Sequence, residues 1–335
     1  MQFSFDLSLD LFDNLINLSE INSSLKSLSI NKKIIEEFLI SDFFYFSKIV
    51  DLDIDNKGLR EYALGFHKIE NTITNKITSS YRNTLEMIPS FYTDKENILT
   101  LNNISRINKI LTEKSFESWE SGKLRTKDFP YISKYDFLIE DTLYNGDIYS
   151  NLKDIFIYYK EDKTPKNLKN LVIVYNFLKL KPFCALNDIT SLIILKLLFF
   201  DIDYFSYIPI LKIFYENKEN LDPYKIDINE WLANISSLLN VYLKDMYSYI
   251  NKYTSLEKRK FLSDKIISSL NFRQKEIFFF LLEHKSISRQ EYMKIYKVSS
   301  MTAFRDLSDM KKKNMVSPIG TGRGLRYTIL EKYLI

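Results

Sequence analysis

The sequence predicts an all-α protein: a mainly helical body with one small β-hairpin flap, followed by a C-terminal module of three helices and two strands. The 335 residues include only 7 Gly and 7 Pro, which is typical of helices rather than of sandwiches or barrels. Apolar residues recur at helical spacing through much of the chain. Two apolar runs flank a short polar loop near residue 185, which indicates a buried helical hairpin.

Composition limits the class of protein. The length suggests two or three domains, and 45% hydrophobic residues can bury a sizeable core. The single Cys184 excludes an intramolecular disulfide and a cysteine metal cluster, which fits a reducing cytosol. Apolar runs fall short of the roughly 18 residues of a membrane span, and the N-terminal MQFSFDLSLD lacks the basic start of a signal peptide. We therefore expect a cytoplasmic protein with no membrane contact and no metal.

The first 132 residues predict helices and then the flap. Short apolar periods before residue 20 and the hydrophobic stretch at 34–46 predict two helices that pack on the body. A helix that starts near Asn103 follows. Residues 122–132, GKLRTKDFPYI, alternate in polarity and contain Gly122 and Pro130, which predicts a β-hairpin or an extended flap.

The buried hairpin spans residues 177–200, FLKLKPFCALNDITSLIILKLLFF. One apolar helix ends at Lys181, a loop carries Asn187 and Asp188, and a second apolar helix follows. Pro209-Ile210-Leu211 then leads to another helix, and Trp231 is most simply a core aromatic. Residues 240–268 predict a long helix with a polar face. We place the domains at 1–95, 96–265 and 266–335.

These segments, over about residues 60–240, resemble the Fic family of AMP-transferases, whose signature loop reads H-P-F-x-(D/E)-G-N-(G/K)-R. In this chain the loop is 181–189, and Pro182, Phe183 and Asn187 match. The resemblance implies that Lys181 stands where the catalytic histidine stands and Ala185 where the magnesium ligand stands. It also implies that Leu186 and Asp188 replace the two glycines and Ile189 replaces the phosphate-binding arginine.

The substitutions remove the chemistry that the resemblance implies. Lysine is protonated near pH 7 unless burial lowers its pKa, so Lys181 is a poor base. Ala185 has no ligand atom for magnesium, Asp188 places a negative charge where phosphate would lie, and Ile189 cannot bind phosphate. The sequence therefore predicts a catalytically degenerate protein without a cofactor. The alternative is an AMP-transferase with an altered site that uses ATP and magnesium.

Two further segments match the family in part. Gly122 and Arg125 match the flap that positions the target by strand addition, although Leu124 replaces an aromatic residue. Glu70 and Asn71 match the end of a regulatory motif whose glutamate occludes the γ-phosphate pocket. Taken alone, a lone glutamate is usually part of a solvated helix face, and many extended segments begin with glycine.

The C-terminal module is a helix-turn-helix followed by a β-wing, similar to the winged helix of many Fic proteins. Ser288 caps its second helix, and Glu291 completes a capping box. The third helix opens at Ser300, and Gly320–Gly324 forms the turn between two strands. The predicted buried stripe of the third helix is Ala303, Phe304, Leu307 and Met310.

Charge is concentrated in this module. Residues 271–335 hold 13 Lys and Arg against 6 Asp and Glu, whereas the remainder holds 34 against 37. This asymmetry indicates phosphate binding, and residues early on the third helix of a winged helix meet base edges. The candidate DNA-binding residues are Ser299, Ser300, Met301, Thr302, Arg305, Lys311, Lys312, Arg323 and Arg326.

The same residues are also compatible with other roles. Arg305 could pair internally with Asp306, the lysine run could be a solvated helix end, and winged helices also dock on proteins. We expect a DNA-binding transcriptional regulator whose body is a scaffold, a dimerisation surface or a partner-binding unit. The other interpretation is an adaptor whose flap at 122–132 still adds a peptide strand. A homodimer would suit paired half-sites, but the sequence does not require one.

Overall fold

The computed structural model describes residues 1–26, 28, 32–65, 72–92, 97–118, 120–128, 130–138, 146–199, 208–267 and 269–330. The chain divides into two compact units, Met1–Ile250 and Asn251–Ile335. Within the described residues, no helix combines the length and the apolar character that a membrane crossing needs.

The first unit is helical. Its helices are α1 (Leu9–Lys26), α2 (Lys32–Ile49), α3 (Asn56–Leu64), α4 (Ile73–Phe91), α5 (Leu101–Thr112), α6 (Ile148–Glu161), α7 (Lys166–Leu180), α8 (Asn187–Leu198) and α9 (Ile210–Glu216). Helix α10 (Ile228–Ile267) contains the division between the units. Helix α5 begins two residues before the predicted start near Asn103, because the Thr100 side chain accepts a hydrogen bond from the Asn103 N–H and caps the helix there.

The centre of the first unit is the α7–α8 hairpin, as the sequence predicts. Nearly every residue of both helices is buried, and α4, α5 and α6 pack around them. Trp231 is fully buried and donates a hydrogen bond to the Leu221 carbonyl. The loop itself is shorter than predicted: Asn187 and Asp188 form the first turn of α8 instead of lying in the loop.

Within the segment 122–132, residues 122–128 and 130–132 are described, and they pair with the loop between α7 and α8. Leu124 forms an antiparallel bridge with Phe183, and Ile132 forms a parallel bridge with Ala185. The Arg125 N–H donates to the Pro182 carbonyl at 2.9 Å. The flap therefore lies along both sides of the loop.

The second unit is a winged helix. It comprises α11 (Phe272–His284), β1 (Ser286–Ser288), α12 (Arg289–Tyr296), α13 (Ser300–Lys312), β2 (Val316–Ile319) and β3 (Arg326–Ile329). The antiparallel sheet has the order β1-β3-β2. Strand β1 was not predicted, and Ser288, its last residue, caps α12 in the predicted capping box with Glu291.

The buried stripe of α13 is narrower than predicted. Ala303, Leu307 and Met310 are fully buried, together with most of Asp306. Phe304, however, is 48% exposed, so its assignment to the stripe was wrong. The reason is geometric: Phe304 is about 100° around the helix from Ala303, at the edge of the face that packs on α11, α12 and β2.

Candidate functional site

The α7–α8 loop begins with a residue in the left-handed conformation. Lys181 ends α7 with φ of 43°, and its N–H donates to the Phe177 carbonyl. The Arg125 guanidinium donates to the Lys181 carbonyl at 2.7 Å and to the Leu180 carbonyl at 3.0 Å. Arg125 thus satisfies the last carbonyls of α7, where a cation is favoured by the helix dipole.

The Lys181 side chain is fully buried in an ionic cluster. Its ammonium lies 2.6 Å from the Asp188 carboxylate and 3.6 Å from the Asp136 carboxylate, and both acidic side chains are inaccessible to solvent. The ammonium also lies over the Tyr131 ring, 5.7 Å from its centroid. The residue at the histidine position is therefore paired with acids instead of facing an open site.

Asp188 ties the chain that follows the flap to α8. Its carboxylate accepts the N–H groups of Phe137 and Leu138 at 2.9 and 2.8 Å. Its own N–H donates to Asp136 at 2.9 Å, and the Tyr131 hydroxyl donates to Asp136 at 2.7 Å. Asp188 was expected to repel a phosphate; in the structure its charge is compensated by Lys181 and two backbone donors.

These contacts determine the protonation of Lys181 and Asp188. Burial alone lowers the pKa of the Lys181 ammonium, but the carboxylates of Asp188 and Asp136 outweigh it and raise the pKa above its ordinary value. Burial and the nearby Asp136 charge raise the pKa of Asp188 to about 7, against the opposing effect of Lys181. Lys181 is thus a stable ammonium and cannot accept a proton near pH 7.

Asn187, Ala185 and Ile189 hold the loop closed. The Asn187 side chain accepts the Phe183 N–H at 2.7 Å and donates to the Phe183 carbonyl at 2.9 Å. Ala185 and Ile189 are buried, and Asn108 of α5 donates to the Ala185 carbonyl at 2.9 Å. The N–H groups of Phe183 and Asp188 are both bonded to protein side chains. Those two amides therefore already have acceptors within the protein.

Metal binding finds no support in the part of the chain that is described. No group of three or more His, Cys, Asp or Glu side chains there has an arrangement that could hold an ion. Glu70 and Asn71, the candidate regulatory residues, lie outside the described residues.

Gly122 is required where the flap leaves α5. Its φ is 68°, and an added Cβ would lie 2.8 Å from both the Lys109 Cβ and the Ser105 carbonyl oxygen. The Gly122 N–H donates to the Asn108 side chain at 3.2 Å. The glycine therefore lets the flap start in close contact with α5.

In the second unit, α13 presents its first turns to solvent. Ser299 caps the helix and, with Ser300, is exposed, while Thr302 is half-buried. Met301 is 60% exposed, and Arg305 is exposed with no hydrogen bond or ion pair to any described residue. The internal pair between Arg305 and Asp306 does not form.

Asp306 instead holds the helices of the second unit together. It accepts from the Arg273 guanidinium at 2.9 Å, from the Tyr292 hydroxyl at 2.9 Å and from the Asn271 amide at 2.9 Å. Asp309, the other acid of α13, pairs with Lys313 at 2.7 Å. Both acids of α13 are thus compensated within the unit.

The remaining basic candidates differ in their surroundings. Lys311 and Lys312 lie at the end of α13, and both are exposed. Arg326 forms an ion pair with Glu291 at 2.7 Å and donates to Ser286 at 2.9 Å, so its guanidinium supports the α12 cap. Arg323 lies in a single 3-10 turn, Gly322–Gly324, between β2 and β3, and its side chain lies outside the described part of the structure.

Sequence reasoning missed the acidic partners of the loop. Asp136 is 45 residues from Lys181 and Tyr131 is 50 residues away, so no local period links them. Phe304 was missed as a surface residue because Ala303 and Leu307, beside it on the helix, belong to the core. The sequence held one weak signal for the ion pair of Asp188. Lys181 and Asp188, seven residues apart and of opposite charge, both depart from the residues of the Fic signature.

Comparison with known proteins supports both parts of this description. Residues 273–319 match the DeoR-like helix-turn-helix domain. No curated protein sequence matches the chain significantly.

Solved structures share the fold of the chain at low sequence identity. A Fic family protein from Desulfovibrio desulfuricans G20 superposes with a TM-score of 0.58 at 11% identity over 98% of each chain. The Fic-1 protein of C. elegans gives 0.55 at 12% identity, over 71% of this chain and 72% of that chain. A Fic domain containing signaling protein from Bacteroides thetaiotaomicron VPI-5482 gives 0.52 at 14% identity, over 71% of this chain and 98% of that chain. The chain therefore has the Fic fold and carries a DeoR-like helix-turn-helix domain.

Proposed function

We propose that the protein is a sequence-specific DNA-binding regulator of transcription and that its Fic-fold unit is a scaffold without AMP-transferase activity. The observation that carries this proposal is the solvent-facing side of α13. Met301, Arg305 and Lys312 lie on the side of the helix opposite Ala303 and Met310, and Met301 and Arg305 are exposed.

The charge of that surface favours a nucleic acid. Asp306 and Asp309 are the acids of α13, and each has a basic partner within the unit. The exposed side of the helix is therefore left with uncompensated positive charge. In a helix-turn-helix the first turns of the second helix of the pair enter the major groove, so we expect Arg305 to donate to a base edge and Lys312 to a phosphate.

The closed loop supports the second half of the proposal. A base, a metal ligand and free backbone donors are what AMP transfer by a Fic loop would need. Lys181 is an ammonium held by two carboxylates, Ala185 has no ligand atom, and the Asp188 carboxylate lies at the N-terminal turn of α8. That turn is where a helix would otherwise favour a phosphate.

DNA binding is tested by titrating the full chain against random duplexes and against duplexes from upstream genomic regions at two salt concentrations. We expect tight binding to particular upstream duplexes that persists at the higher salt. Arg305→Ala should lower specific affinity by about 1–3 kcal/mol. The matched control is Lys275→Ala, which removes the same charge from α11. Weak binding that is equal for all duplexes and vanishes with salt would refute sequence-specific binding, and equal affinity of both variants would refute the role of Arg305.

The scaffold role is tested by thermal unfolding with ATP and magnesium. A ligand present at 100 times its Kd stabilises a protein by about 2.7 kcal/mol, which a melting curve resolves easily. We expect no magnesium-dependent change in Tm. A rise in Tm that requires both ATP and magnesium would favour the AMP-transferase alternative.

A further inference from the structure

Two large apolar side chains lie on the exposed side of α13. Met301 is 60% exposed and Phe304 is 48% exposed. Neither belongs to the buried apolar core of the second unit, to which α13 contributes Ala303, Leu307 and Met310. Packing within the unit therefore does not account for a methionine and a phenylalanine at these two positions.

The two side chains share one small surface with Arg305. Successive residues of an α-helix are about 100° apart around the axis, which places Met301 between the other two, about 60° from Phe304 and about 40° from Arg305. Along the axis, Phe304 is about 4.5 Å and Arg305 about 6 Å from Met301. We call this surface the α13 patch (Met301, Phe304 and Arg305). It combines two apolar side chains with an exposed cation.

The charge around the α13 patch favours duplex DNA over an apolar protein surface. Lys312 is exposed on the same side of α13, and the acids Asp306 and Asp309 are each paired with a basic residue of the same unit. An apolar protein partner would bury Arg305 without a counter-charge, which is costly. The major groove of DNA offers both kinds of partner group, because guanine presents acceptors to an arginine and thymine presents its C5 methyl group to an apolar side chain.

We infer that Phe304 and Met301 read the methyl groups of two thymines on neighbouring base pairs, beside a guanine that Arg305 contacts. Phe304 is thereby a specificity-determining residue that the sequence did not predict. The axial distance between the two apolar residues exceeds one base-pair step of about 3.4 Å only slightly, so neighbouring base pairs lie within reach of both. The inference rests on the DNA binding proposed above and adds the bases that the α13 patch selects.

A selection from a pool of random duplexes tests the inference with the full chain. We expect the selected motif to contain two neighbouring T·A pairs beside a G·C pair. Each thymine of the selected duplex is then replaced by uracil in turn, which removes only the C5 methyl group. Uracil at either of the two positions should lower the affinity of the wild type about fourfold, which corresponds to the loss of one buried methyl group.

Alanine variants assign each methyl group to a side chain. Phe304→Ala should lose the sensitivity to uracil at one of the two positions, and Met301→Ala should lose it at the other. The matched control is Ile295→Ala on α12, whose side chain is 47% exposed and lies outside the α13 patch, and it should keep the sensitivity at both positions. All three side chains are exposed and alanine is the best helix former, so the variants should fold.

The outcomes separate this inference from the proposed function. Specific binding in which no thymine is sensitive to uracil would overturn the inference and leave the proposed function intact, as would sensitivity that persists at both positions in both variants. Affinities of Phe304→Ala and Met301→Ala that equal the wild-type value for every duplex would overturn it as well, and would assign the two side chains to a protein partner. Binding of equal strength to all duplexes would overturn the proposed function and the inference together.

Discussion

Replacing Lys181 with methionine tests whether the signature loop is held by its ionic cluster. The substitution keeps a long unbranched side chain but removes the ammonium that lies between the Asp188 and Asp136 carboxylates, all three side chains being inaccessible to solvent. Two buried acids would then remain without their cation. We expect the first unit to be strongly destabilised.

The magnitude follows from the burial of the cluster. Loss of one partner from a buried ion pair costs about 3–5 kcal/mol, because the remaining charge keeps its desolvation cost without its counter-ion. For a unit of this size, with a urea dependence of roughly 3 kcal/mol per M, the unfolding midpoint should fall by about 1–2 M. Two backbone N–H groups still donate to Asp188, so the loss should not exceed that range.

The effect should depend on pH. Lys181 lowers the pKa of Asp188 against the effects of burial and Asp136, so its removal raises that pKa further above about 7. The Asp188 carboxyl then takes up a proton more readily, and the destabilisation shrinks as the pH falls from 8 to 5. Each further unit by which the pKa of Asp188 rises accounts for about 1.4 kcal/mol of the difference in destabilisation between pH 8 and pH 5.

Tryptophan fluorescence is a suitable assay because both tryptophans, Trp119 and Trp231, belong to the first unit. The surface control is Lys225→Met, which removes an exposed ion pair with Glu219 and should leave the midpoint nearly unchanged. Adding Asp188→Asn to the Lys181 variant should restore part of the lost stability. A loss no larger than that of the control, or one equal at pH 5 and pH 8, would refute the reasoning.

Four further outcomes follow from the structure. The stability of the wild type relative to Asp188→Asn should fall as the pH rises from about 4 to about 7, because the Asp188 carboxyl holds a proton in the folded state that it releases in the unfolded chain. Urea unfolding midpoints of the wild type that rise relative to those of the variant across this range would contradict the raised pKa of Asp188. Gly122→Ala should cost about 1–3 kcal/mol of stability in urea unfolding, since both its φ of 68° and the space against Lys109 exclude a Cβ, and an unchanged midpoint would argue against this geometry. Asp306→Ala should destabilise the second unit by about 1–3 kcal/mol in circular dichroism melts, because the buried Tyr292 hydroxyl loses its acceptor. Asp309 is more exposed, so Asp309→Ala should lower the stability far less. Finally, if the exposed Met301 contacts a thymine methyl, replacing that thymine by uracil should lower the affinity of the wild-type protein for the duplex but not the affinity of Met301→Ala. Equal losses of affinity in titrations of both proteins would exclude that contact.

Much of the architecture could be predicted because it is encoded locally. The two apolar runs around residue 185 are stable only when they are removed from water. Their hydrophobicity alone therefore predicts a buried hairpin at the centre of the first unit. The capping box of Ser288 and Glu291 joins residues three apart, which makes it readable in any sequence. The helix-turn-helix was equally visible, since its helices, turn and glycine-rich wing follow one another within about 60 residues.

The partners of the buried charges were decided only by the tertiary structure. Lys181 meets Asp136, and Arg273 meets Asp306, across separations of 45 and 33 residues. Periodicity carries no information about such pairs, because it describes one element at a time. The sequence showed which residues occupy the loop, lysine at 181 and alanine at 185 among them. The fold determined that a salt bridge and two backbone donors surround Asp188, because a buried charge must be paired wherever the chain brings a partner close enough.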